Sequence, residues 1–328
     1  MLNRERKLVI HFYEQIDKLN GKMGHGILRY SQNPVACVVD FNHGGTTTRE
    51  LLDFGPDVPV VSSVEEALAH GPEVLVLGMA PSGGRLPAEM VKEVDHAVGA
   101  GLCVVNGLHE FLSGRYPELP SLQWIWDIRR EPDGLGIAWG RASELANRRV
   151  LLVGTDMAIG KMTAGLEIQK SALQRNIQAE FLATGQTGIM VEGDGYPMDR
   201  VIADFVSGAT ERLVLENEQH DILVVEGQGS LVHPSYSAVT LGILHGALPH
   251  ALVLCFEVGR EGITGVEHVA IPPLPRIIEI NEMMAGLCHP CPVVAVAMNG
   301  RRIEPGDAEE HRRQVEEELQ LPVADIFR

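Results

Sequence analysis

One stretch limits what this 328-residue chain can fold into more than any other: RRVLLV, running into GTDMAIGKMT at 148–163 and then into an amphipathic helix. Gly154 ends an apolar strand, and Gly160 and Lys161 open the helix. This is the layout of a Walker-A phosphate loop. Backbone N–H groups and the positive end of a helix gather round phosphate oxygens, and the lysine adds a point charge. The glycines are required because side chains block close approach of backbone to phosphate. The candidate cofactor-binding residues are therefore Gly154, Thr155, Asp156, Ala158, Ile159, Gly160, Lys161, Met162 and Thr163. Two features depart from the usual pattern. Five residues, not four, separate the glycines, and Met162 follows the lysine, with Thr163 one place later. The hydroxyl that normally follows the lysine ligates Mg²⁺. Its displacement leaves phosphate binding intact and weakens the case for metal-dependent nucleotide hydrolysis.

The loop sits in a wider alternation. Short runs rich in Val, Leu and Ile fall at 7–12, 35–40, 58–61, 73–77, 102–105, 149–153, 221–225, 251–256 and 293–298. Most are apolar on both faces, as buried parallel strands are. Helical stretches at 64–69, 87–98, 161–174 and 305–319 lie between them. The expectation is an α/β protein built from right-handed βαβ units. An N-terminal Rossmann-like parallel-sheet domain is followed by a P-loop NTPase-like parallel-sheet domain. Alternation stops between Pro117 and Asn147, a stretch that holds Trp124, Trp126 and Trp139. The division expected is a first domain at 1–116, an interdomain connector at 117–147 whose rings cover the seam, and a second domain at 148–328.

Composition removes several partner classes. With 27 basic and 44 acidic residues the formal charge is −17. Such a surface repels nucleic acid and anionic membranes alike. No apolar run approaches the ~18 residues of a membrane span, and the opening MLNRERKLVIHFYEQ meets Glu14 too soon for a signal peptide. Five scattered cysteines imply no disulfide framework, so a reducing, cytoplasmic setting is expected. Cys288 and Cys291 make a single C-x-x-C, half a tetrahedral zinc set, and no metal centre is expected. The expected partners are a small-molecule substrate and further copies of the chain in a homo-oligomer.

A second element accompanies the loop. DILVVEGQGS at 221–230 is a buried strand ending in Glu226, a Walker-B-like layout that brings a carboxylate to the crevice of an open α/β sheet. Both elements resemble dethiobiotin synthetase and its relatives, a branch of the P-loop fold with an extended loop and glutamate in place of the Walker-B aspartate. The strings GTDMAIGKMT, EGQGSLVHPSYSAVTL, ILHGALPHALVLC, VLGMAPSGGRLP and VVNGLHEFL resemble a family long catalogued as a domain of unknown function. Some of its members are described as D-glutamate N-acetyltransferases using acetyl-CoA. The resemblance spans nearly the whole chain, and it alone supplies D-glutamate.

Coenzyme A carries a 3′-phosphate and a pyrophosphate, which a phosphate loop suits without hydrolysing a nucleotide. Amide formation also needs a base for the amine and cations for substrate carboxylates. Glu226 and His233 are the candidates for base and orienter, with Tyr236 beside them as a third catalytic candidate. A loop histidine also serves commonly as a plain hydrogen-bond partner. Gln186 and Thr187 follow a strand and could touch the phosphate side of the cleft, while Arg200 and Arg85 are candidates for substrate anions. Asn299 follows the strand VVAVAM, where P-loop proteins of this branch place a base-recognition residue; Asn299 and Gly300 equally suit a turn. Two readings compete with an acetyltransferase. One is an ATP-dependent kinase or carboxylate-activating ligase using ATP with Mg²⁺, and the other is a non-catalytic nucleotide sensor.

Overall fold

The computed structural model describes residues 2–79 and 86–328. The chain divides into two compact α/β units, one of residues 1–130 and 186–197, the other of residues 131–185 and 198–328. Among the described residues no helix is long and apolar enough to cross a membrane.

The first unit runs through β1 (Leu8–Tyr13), α1 (Lys22–Tyr30), β2 (Val35–Asp40), β3 (Thr46–Thr47), α2 (Thr48–Leu51), β4 (Pro59–Val61), α3 (Val64–Ala67), β5 (Val74–Leu77), α4 (Ala88–Gly99), β6 (Cys103–Asn106) and β7 (Ile125–Asp127). The strands form one seven-stranded sheet, ordered β3-β4-β2-β1-β5-β6-β7. Every pair is parallel except β3 with β4. Val9, Ile10, Val38, Val39, Leu75 and Val104 are buried, so both faces of the sheet are covered, as the unbroken apolar runs require. Ser63 caps α3, its Oγ accepting the Glu66 N–H at 3.2 Å, just where the sequence places a helix start. The stretch 117–147 is divided between the units. Residues 117–130 carry β7 and Trp126 into the first sheet, and 131–147 go with the second unit.

The second unit carries β8 (Arg148–Gly154), α5 (Lys161–Leu173) and β9 (Ala179–Leu182). Next comes α6 (Gln186–Glu192), which packs on α1 and belongs to the first unit. The second unit then continues through α7 (Val206–Leu215), β10 (Ile222–Val225), α8 (Ser237–Ala247), β11 (Ala251–Glu257), β12 (Gly262–Ile263), β13 (Val266–Ala270), α9 (Leu274–Ala285), β14 (Val293–Asn299), α10 (Pro305–Leu319) and β15 (Val323–Asp325). Its six-stranded sheet is parallel throughout and ordered β15-β14-β11-β8-β10-β9, with β12 and β13 as a separate antiparallel ribbon. The chain leaves β8 to one side for β9 and β10 and to the other for β11, β14 and β15. That reversal opens a crevice at the carboxyl ends of the central strands.

Candidate functional site

The strand order decides which residues meet. β14, β11, β8 and β10 are neighbours, and they end at Asn299, Glu257, Gly154 and, one residue on, Glu226. Glu257 pairs in register with Asn299, and Cys255 with Gly154. Strand register therefore gathers these polar groups along one edge of the sheet.

The loop from β8 to α5 has a geometry that suits an anion. Ala158 (φ +54°) and Gly160 (φ +112°) both take left-handed backbone, which folds the chain back over the start of the helix. Among the described residues, the N–H groups of 158–163 donate to no carbonyl or side chain. They include the three orphan donors that open α5, at the positive end of its dipole. On the floor, a Cβ on Gly227 would lie 1.7 Å from the Leu152 carbonyl oxygen, so β10 can turn this close to β8 only through glycine.

Lys161 is buried, and its Nζ donates to two neutral carbonyls, Asp156 O at 2.7 Å and Gly229 O at 2.8 Å. Burial lowers its pKa to about 8, against the pull of neighbouring Asp156 and Glu226. A buried cation held by carbonyls retains its charge for a ligand, and the surrounding N–H groups and glycines fit a polyphosphate. Thr163, one place past the usual position, is buried in the first turn of α5.

Glu226 is also buried. Its Oε2 accepts the N–H groups of Thr184 at 2.9 Å and Gly185 at 3.0 Å, while the Thr184 hydroxyl donates to the Glu226 carbonyl at 2.8 Å. Burial outweighs these donors and the Lys161 charge and raises the carboxyl to about 7. The site thus holds a carboxyl poised near neutrality beside a lysine shifted toward neutrality from the other side.

Asp156 performs a different task. Its side chain is fully buried, and it accepts the Met157 N–H at 2.7 Å, Arg260 Nη1 at 2.9 Å, the Thr264 N–H at 2.9 Å and the Thr264 hydroxyl at 2.6 Å. Burial alone would raise it; the donors from Thr264 and Arg260 hold it below the ordinary carboxylate range. Arg260 is fixed in turn by Glu257 at 2.7 Å. Asp156 therefore ties the loop to the ribbon β12–β13. His233 joins this tie. Its Nδ1 accepts the Ser235 N–H at 3.1 Å, so the neutral ring carries its proton on Nε2, which faces the Thr264 carbonyl at 3.2 Å and Asp156 Oδ1 at 3.8 Å. Both ring nitrogens are thus occupied. Tyr236 packs its ring against His233 at 4.5 Å and is half exposed.

The other sequence candidates are more scattered. Asn299 is buried and its Nδ2 donates to the loop carbonyl of Ile159 at 3.2 Å. Thr155 and Ile159 are buried within the loop, Met162 is half-buried and Ala158 is exposed. Gln186 and Thr187 open α6 and fall in the first unit; Arg200 is exposed on a short turn of the second. Arg85, with most of the loop GMAPSGGRLP, lies outside the described residues. Sequence reasoning missed Glu257, Arg260, Thr264 and Thr184. Glu257 had a signal, an acid at the carboxyl end of an apolar strand, the same mark that exposed Glu226. Thr264 had none, because it reaches Asp156 from 108 residues away.

Fold and site together define a two-unit α/β protein with a Rossmann-like sheet and a phosphate-loop sheet. The comparisons agree. Residues 136–328 match the family described as "Domain of unknown function (DUF1611_C) P-loop domain", and residues 41–131 match "Domain of unknown function (DUF1611_N) Rossmann-like domain". A relative from Pseudoalteromonas sp, named D-glutamate N-acetyltransferase, is 34% identical over 95% of this chain and 92% of its own. One from Tritonibacter scottomollicae with the same name is 35% identical over 81% of each. The crystal structure of a DUF1611 family protein from Anabaena variabilis ATCC 29413 superposes with a TM-score of 0.94 at 42% identity, covering 98% of this chain and 96% of that one. The chain belongs to the DUF1611 family.

Proposed function

We propose that the chain is an N-acetyltransferase that takes acetyl from acetyl-CoA and places it on the amine of an amino acid, with D-glutamate as the substrate. The observation that carries the chemistry is the placement of Glu226, a buried carboxyl just past the end of β10 on two backbone N–H donors, which burial raises to about 7. The names of the two bacterial relatives supply the acetyl group and the substrate. Acetyl-CoA brings a thioester-activated acetyl group attached to a phosphate-rich handle. The N–H groups of 158–163 and the Lys161 ammonium hold the phosphates. Glu226, ionised, takes one proton from the attacking amine as the N–C bond forms and the C–S bond breaks; that proton leaves with the thiol. A base at about 7 is matched to this task at neutral pH. His233, with both ring nitrogens committed, keeps Thr264 and Asp156 in place.

Transfer is direct. Cys255, the thiol nearest Lys161 in the register of the sheet, is fully buried and pushed up to about 12 by burial, so it is no nucleophile. The test is incubation with acetyl-CoA and a panel of D- and L-amino acids, beside ATP controls, with release of free thiol as readout. D-glutamate is expected to be acetylated, with intersecting lines when both substrates are varied. Parallel lines, or an acetylated protein after acetyl-CoA alone, would defeat direct transfer. Turnover of ATP without any acetyl transfer would overturn the function.

A further inference from the structure

Residues just past β15 reach the phosphate loop. A Cβ on Gly160 would lie 2.5 Å from Ile326 Cδ1 and 3.5 Å from Phe327 Cε2, so the missing side chain at Gly160 is what lets these two residues pack on the loop. Across the Phe327 ring lies the guanidinium of Arg301, its Cζ 3.8 Å from the ring centroid. The stack is held from both sides. Asn299 Oδ1 accepts from the Arg301 N–H at 3.3 Å and from its Nε at 3.4 Å. Asp325 Oδ1 accepts the Phe327 N–H at 3.1 Å and the Gly300 N–H at 3.4 Å. Asn299 Nδ2 in turn holds the loop carbonyl of Ile159, so the loop and the stack are linked through one buried amide. Arg301 is nevertheless exposed, and Phe327 half-buried.

A guanidinium fixed over an aromatic ring presents a flat, cationic and weakly hydrated surface. That surface suits the π-face of a planar base. The loop beside it is read as a phosphate site, a nucleotide is the ligand class that pairs phosphates with a planar base, and coenzyme A and ATP both carry adenine. We propose that Arg301 and Phe327 form the platform on which the adenine ring of the bound cofactor stacks. This rests on the reading of the loop as a phosphate site. It does not depend on the acetyl-transfer chemistry, because coenzyme A and ATP share the adenine. Asn299 and Asp325 act as positioning residues that keep the platform in register with the loop.

Calorimetric titration with coenzyme A and, separately, with inorganic pyrophosphate separates the two ideas. Phe327→Ala and Arg301→Ala are expected to weaken coenzyme A binding about tenfold or more, as loss of one stacking partner does, and to leave pyrophosphate binding unchanged. Phe327→Trp keeps a stacking face and restores coenzyme A affinity, which controls for a misfolded variant. Lys161→Ala weakens both ligands. Wild-type protein that binds neither ligand would overturn the loop reading and the platform with it. Wild-type protein that binds both, with Phe327→Ala and Arg301→Ala altering neither affinity or both equally, would overturn the platform alone.

Discussion

At the scale of single residues, Lys161 and Glu226 carry the sharpest expectations, because burial has moved both toward neutral pH from opposite sides. Lys161 at about 8 loses its proton as pH rises through mildly alkaline values. Binding of pyrophosphate or coenzyme A should therefore weaken between pH 7 and pH 9, with the midpoint raised above 8 in the complex by the ligand's own charge. In Lys161→Ala the affinity should fall roughly ten- to a hundredfold at pH 7, as expected for a charge-assisted hydrogen bond, and that pH dependence should vanish. Titration calorimetry at three pH values checks both; an equal slope in the variant would sink the idea. In the proposed mechanism Glu226 takes the amine proton only when ionised, so the rate should climb as pH rises through about 7. Glu226→Gln should lose about 10²–10⁴-fold in rate and keep its affinity for coenzyme A. A Glu226→Gln enzyme with near-normal turnover would move the base elsewhere.

At the scale of elements, legibility followed from how local the cause is. β8, the loop and α5 were readable because a buried parallel strand, a glycine turn and a helix start each write their own residues. The same held for Glu226 at the end of β10. The partners of the loop were not readable. Asp156 meets Arg260 and Thr264, and Gly160 meets Ile326, only because β8, β11, β14 and β15 lie in one sheet, and strand order leaves no mark on any one strand. The excursion of α6 to the first unit was hidden for the same reason, since it is fixed by packing on α1. The stretch 131–147 shows a further device of this kind. Glu211 on α7 is buried and accepts the Trp139 N–H at 3.1 Å, the Arg141 N–H at 2.8 Å and Arg141 Nε at 3.0 Å. Burial would raise this carboxyl, and Arg141 with the two N–H groups holds it below its usual range. Glu211→Ala strands two backbone donors and should cost about 2–4 kcal/mol. Arg141 is half exposed and solvent-screened, so Arg141→Ala should cost far less. Denaturant melts of the two variants check this, and equal losses would place the energy in the ion pair instead of the backbone clamp.

At the scale of the whole molecule, the perturbed carboxyls set how stability varies with pH. Asp156, Glu211 and Glu93 are all lowered in the folded chain, despite burial, by hydrogen-bond donors or a facing histidine. Each contributes stability that is present above its unfolded value, 3.8 for aspartate and 4.5 for glutamate, and is lost as pH falls through the folded value. Glu226 has the opposite sign. Its folded pKa of about 7 exceeds the unfolded 4.5, so the unfolded chain gives up the proton first. The resulting penalty is absent below pH 4.5, grows between 4.5 and about 7, and is complete above that. Lys161, lowered to about 8 from 10.5, adds a cost of burying its charge that is relieved only as pH rises from 8 toward 10.5. Two histidines oppose the Glu226 trend: burial lowers His11 and lowers His250 to about 4, so both withdraw stability as pH falls below 6.5, and the stability maximum of the ligand-free protein is set between their loss and the Glu226 penalty. Glu226→Gln removes that penalty while keeping the shape of the side chain, so it should raise Tm clearly at pH 8 and hardly at pH 5, where the wild-type carboxyl is already protonated. Scanning calorimetry of both proteins at the two pH values measures the difference. An equal shift at both would mean that Glu226 titrates normally, and the poised base would go with it. The outcome expected is a residue that destabilises the fold above about pH 7 because the proposed chemistry requires a desolvated carboxylate.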